Sequence, residues 1–71
     1  MKMEIVHEQL KRWGELLVTT AAGQTFELHL GDTHFDYDKR VFSFRASGAE
    51  FIIDGDCVES IQMHFSSPER D

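Results

Sequence analysis

The sequence predicts a mainly β chain with one N-terminal helix, folded as a small five-stranded antiparallel bent barrel. Three observations carry this. Apolar residues recur at helical spacing only near the start, the period changes to two from residue 15 onward, and the alternating runs are short and separated by turn residues.

The helix is expected over residues 3–13. Met3, Val6, Leu10, Trp13 and Leu17 follow one another at intervals of 3, 4, 3 and 4, which places them on one face. Glu8 stands three and four residues before Lys11 and Arg12, a spacing that adds modest helical charge pairs. Gly14 suits the left-handed residue that ends a helix.

The strands follow in order. "ELLVTT" (15–20) and "TFELHL" (25–30) are β-rich runs around "AAGQ", whose Gly23 suits a hairpin loop. In the second run Phe26, Leu28 and Leu30 share one face, and Glu27 and His29 the other. "VFSFR" (41–45) brings Phe42 and Phe44 together, "ASG" turns the chain, and "AEFIID" (49–54) runs back. After "GD", "VESIQMHF" (58–65) places Ile61, Met63 and Phe65 on one face. "SSPERD" (66–71) is a polar tail expected to fray. Curling the sheet into a barrel, over residues 15–65, hides the edges that a flat meander exposes.

Seventy-one residues make one domain, 1–71. A chain this short buries only about 60% of the surface its unfolded form exposes. The 41% hydrophobic content, with six Phe, is enough for a single core and argues against disorder. Cys57 is the one cysteine, so no internal disulfide forms, and a reduced, cytoplasmic chain is expected. The N-terminal stretch lacks the continuous apolar run of a signal peptide, and no segment reaches the length of a membrane span. The formal net charge of −6 repels phosphate backbones and disfavours nucleic acid as a partner.

Two short stretches carry a family resemblance. "IDGDCVESI" supplies Ile53, Gly55, Asp56, Val58 and Ile61, and "FDYDKRVFSF" places Phe35 and Asp36 in the loop ahead of the next strand. Over roughly residues 15–61 this pattern resembles the Sm-like family of small bent β-barrels. The resemblance implies a barrel, ring-like assembly through strand edges, and RNA contacts at Phe35, Asp36, Tyr37, Lys39, Arg40, Gly55 and Asp56. Arg12 and Arg45 add positive charge to that alternative. The chain departs from the family pattern at Arg40, where the family places a base-contacting Asn, and at Asp54, where it places Arg. A carboxylate at that second position repels RNA phosphate, so the resemblance implies fold and assembly more than RNA binding. An SH3-like barrel accounts for the same strand pattern.

The stretch "GDTHFDYDKR" asks whether a metal is held. His29, Asp32, His34, Asp36 and Asp38 offer imidazole and carboxylate donors of the kind that zinc or manganese accepts. If the segment is extended, Asp32, His34, Asp36 and Asp38 share one side, and Phe35 and Tyr37 plug the core from the other. A solvated strand edge explains the same pattern without an ion, and no cofactor is expected. "DGD" (54–56) has the chemistry of a tight turn. Cys57 and His64 lack an orienting third group, and no nucleophile or phosphate-binding motif is present, so no catalytic residue is expected. Met3, Leu10 and Trp13 either pack the helix on its own sheet or meet a partner. The sequence therefore points to a non-enzymatic, acidic protein-interaction and assembly module that forms a homo-oligomer and engages an unidentified protein partner. An Sm-like RNA binder and a metal or small-molecule sensor are the alternatives.

Overall fold

Helix α1 spans Met3–Trp13 in the computed structural model, which describes residues 1–63. Met3, Val6 and Leu10 are its buried face, each with no exposed surface. Removing side chains of this size from water contributes about 1.5–3 kcal/mol apiece. Trp13 continues the stripe but is 38% exposed. Gly14 ends the helix in the left-handed conformation (φ 85°), its N–H donating to the Leu10 carbonyl at 2.8 Å. No helix among the described residues is long and apolar enough to cross a membrane.

Six strands follow: β1 (Glu15–Thr20), β2 (Thr25–His29), β3 (His34–Asp36), β4 (Val41–Ala46), β5 (Ala49–Asp54) and β6 (Val58–Gln62). They form two antiparallel three-stranded sheets, ordered β2-β1-β6 and β3-β4-β5. The mainly β class with one helix is therefore present, but the five-stranded barrel is not: the described residues hold six strands, and their two sheets do not close on one another. The additional strand is β3, inside the stretch whose polar composition resembles a loop. An edge strand needs little apolar surface, and here one residue supplies it: Phe35 lies opposite Phe42, ring centroids 5.5 Å apart. A 3₁₀ turn at Leu30–Asp32 separates β2 from β3, so among the described residues β2 pairs with β1 alone. That turn also removes Leu30 from the apolar face of β2 and leaves it 42% exposed. Residues 64–71, including His64, Phe65 and the tail, lie outside the described residues.

The helix packs on β1 and β6. With its three buried residues, Leu16 and Val18 of β1, Leu28 of β2, Phe42 and Phe44 of β4 and Val58 of β6 make the core. Phe26 of β2 joins the two sheets, lying 5.3 Å from Phe44 and 5.4 Å from Phe51 between ring centroids. The β4–β5 hairpin turns on Ser47 and Gly48, both at positive φ (55° and 76°), a two-residue turn whose twist matches the flanking strands.

Candidate functional site

A polar cluster lies where α1 meets the β3–β4 and β5–β6 turns. Arg40 closes the first of these turns at φ 59°. Its guanidinium donates to both carboxylate oxygens of Glu4, at 2.7 and 2.9 Å. It also donates to both oxygens of Asp56, at 3.1 and 2.7 Å. The bidentate geometry is what a planar guanidinium makes with a carboxylate. Asp56 in turn accepts the Met3 N–H at 3.1 Å, capping α1 from a distant turn, since Lys2 makes no side-chain cap. Arg40 offsets one of the two negative charges, and the remaining one sits where the helix dipole favours negative charge.

The electrostatics follow from these contacts. Hydrogen bonds from Arg40 hold the Glu4 carboxyl down at about 2. The same guanidinium, then the Met3 N–H, lowers the Asp56 carboxyl, and the two carboxylates raise Arg40 still further above its ordinary value.

An aromatic stack adjoins this knot. The His7 imidazole lies on the Phe35 ring, centroids 4.0 Å apart and planes within 10°. His7 Nδ1 is 2.6 Å from the Tyr37 hydroxyl oxygen. With the imidazole neutral and its proton on Nε2, Nδ1 accepts the hydroxyl proton. Burial, and then the charge of Lys11, hold His7 below its ordinary pKa; burial, and then Glu4, raise Tyr37. Arg40 also lies 5.9 Å from the centre of the Tyr37 ring.

Of the residues named for nucleic-acid contact, Phe35, Tyr37, Arg40, Gly55 and Asp56 gather here, held by one another. Phe35 is covered by His7, and Arg40 is committed to two carboxylates. Asp36 accepts the N–H groups of Asp38 and Lys39 at 3.0 and 3.1 Å and so shapes the β3–β4 turn. Lys39 is exposed. The "DGD" segment is a turn: Asp54 accepts the Asp56 N–H at 2.9 Å, and the buried Gly55 donates to the Arg40 carbonyl at 2.7 Å.

Met3 and Leu10 are wholly inside, so no partner can reach them without unfolding the helix; Trp13 donates to the Gln9 amide at 3.1 Å. The metal alternative is rearranged. His29 ends β2, Asp32 sits in the 3₁₀ turn, His34 and Asp36 belong to β3, and Asp38 to the following turn, so the four loop residues do not form one extended face. Among the described residues, the one group of three metal-type donors in mutual reach is Glu15, Glu27 and His29.

Sequence reasoning missed Glu4, His7, Glu15 and Glu27. Alternation alone places Glu27 beside His29, but Glu15 joins them only through strand register, and Glu4 and His7 only through helix docking. Cys57 is half-buried, and His64 lies outside the described residues. A surface depression lined by Arg45, Gly48, Ala49 and Glu50 sits at the β4–β5 turn and gathers no nucleophile. Among the described residues, no buried side-chain nitrogen or oxygen lacks a hydrogen-bond partner. Compared with family models, curated proteins and solved structures, the chain matches none.

Proposed function

We propose that this chain is a non-enzymatic assembly module that self-associates through an open sheet edge and, so assembled, engages a protein partner in the cytoplasm. The observation that carries this reading is β5. Among the described residues it pairs only with β4, and its Ile52, 68% exposed, is the most exposed large apolar side chain. An unpaired edge bearing an exposed apolar residue is a template for another strand, and a second copy is the partner always present. Supporting the non-enzymatic part, the ionic side chains of the central cluster are saturated by one another rather than aimed at a vacant position.

Light scattering coupled to size exclusion tests assembly. A mass above one chain at high micromolar concentration is expected, and Ile52→Lys should return it to a monomer with an unchanged circular dichroism spectrum. Glu50 and Asp54 flank Ile52 on its own face of β5, so added salt should strengthen association by screening their repulsion. A native chain that stays monomeric at high concentration and high salt would remove the proposal.

The Sm-like RNA reading remains the second proposal, on the resemblance alone. The commitment of Arg40 to Glu4 and Asp56 weighs against it.

A further inference from the structure

The register of the β1–β2 hairpin brings three metal-type side chains onto its outer face. Glu15 pairs directly with His29, and Glu27, two residues earlier on β2, projects to the same side. His29 Nδ1 is 3.5 Å from a Glu15 carboxylate oxygen, and Nε2 is 3.6 Å from one of Glu27. One donor atom from each residue can be chosen so that all three lie within 4.8 Å of one another. These separations are longer than the roughly 2.7–3.2 Å of an N–H···O hydrogen bond. One ion takes one ring nitrogen, so only one of the two contacts is already near the ~3.3–3.5 Å between donors placed tetrahedrally at bond lengths of about 2.0–2.1 Å, and the other carboxylate closes in from within 4.8 Å.

We infer that Glu15, Glu27 and His29 form a site for one divalent transition-metal cation of the zinc class. Charge supports this as well as distance. Among the described residues, the ion-pair contacts of both glutamates are with His29 alone, whereas the other close carboxylate pair, Glu4 and Asp56, has Arg40 between its members. Two carboxylates and a neutral imidazole balance a dication. The nitrogen donor selects zinc-type ions over magnesium and calcium, which take oxygen. Three protein donors leave the fourth tetrahedral position to water, and side chains about half exposed (46%, 52% and 49%) leave room for it.

The location gives binding a structural consequence. His29 ends β2 and Glu15 begins β1, at the end of the hairpin opposite its loop. Just beyond this pair, the N–H of Leu30, after His29, donates to the carbonyl of Gly14, before Glu15, at 3.0 Å. An ion here ties the start of β1, just after the helix, to the end of β2, so metal binding and folding are coupled. This inference stands apart from the assembly reading and shares no residue with the β5 edge.

Isothermal titration of the full chain with zinc, checked by the visible spectrum of the cobalt(II) complex, tests it. One ion per chain and a raised melting temperature are expected, the latter reversed by chelator. His29→Ala, Glu15→Gln and Glu27→Gln should each weaken binding at least about tenfold, since each removes a ligand. His34→Ala should leave affinity unchanged. Circular dichroism confirms folding, and if one glutamine variant fails to fold, the other decides. Absence of binding, or binding that survives all three substitutions, overturns the inference. So does a pH-dependent stability that His29→Ala abolishes when zinc has no effect, for then a proton bridges the carboxylates.

Discussion

At Gly55 a methyl group would lie 2.1 Å from Met3 Sδ, 2.8 Å from Met3 Cγ and 2.9 Å from the Arg40 carbonyl oxygen. The methionine tip can move, but the carbonyl belongs to the strand connection that Gly55 itself hydrogen-bonds. Gly55→Ala should therefore destabilise by about 1–3 kcal/mol, as overpacking does, measured by urea unfolding. The neighbouring Arg40 sets the acid response. Glu4 and Asp56 titrate below their ordinary values in the folded chain, so the unfolded chain binds more protons. Their contribution is complete above the unfolded carboxylate range and is lost as pH falls through the folded values, for Glu4 from 4.5 toward about 2. In Arg40→Met that window of the melting-temperature profile should flatten; a profile identical to the native one would show that the ion pairs add nothing.

Between elements, α1 is held to the second sheet by a contact that senses pH. His7 packs on Phe35 of β3 and meets Tyr37 in the turn beyond it. Its folded pKa lies below 6.5, so the unfolded chain takes up the proton first. Stability from this contact is full above 6.5 and declines as pH drops beneath it. His7→Phe preserves a ring over Phe35 and removes the titration, so the melting temperature should lose that part of its slope. An unaltered slope in the variant would assign it to other groups.

Across the whole molecule, charge weighs against polyanions. The chain carries a net −6, any added subunit would deepen that field, and Arg40, which lies over Tyr37, is already paired. Fluorescence anisotropy with U-rich and A-rich RNA at low salt should detect no submicromolar binding, although attraction is strongest there. Tight, steeply salt-sensitive binding that disappears in Lys39→Glu/Arg45→Glu would restore the RNA reading. Arg40 is kept in that variant because it is paired with Glu4 and Asp56.

The sequence by itself determined what depends on neighbours along the chain. Helical spacing from Met3 to Leu10, the left-handed stop at Gly14, and period-two alternation in β1, β2, β4 and β5 follow from local geometry and burial on one face. The turn chemistry of Asp54 and Gly55 was equally legible. What only the tertiary structure decided depends on register and docking between distant segments. His34–Asp36, with Phe35 as its one apolar residue, becomes a strand because β4 offers it an edge, and two sheets form where one barrel was expected. Glu15 meets His29 through a cross-strand pairing that no spacing specifies. Asp56 and Arg40, sixteen residues apart, become a helix cap and its counterion. An isolated strand or turn can be inferred from its own residues, but the partner of a charged side chain is set by the fold that brings the two together.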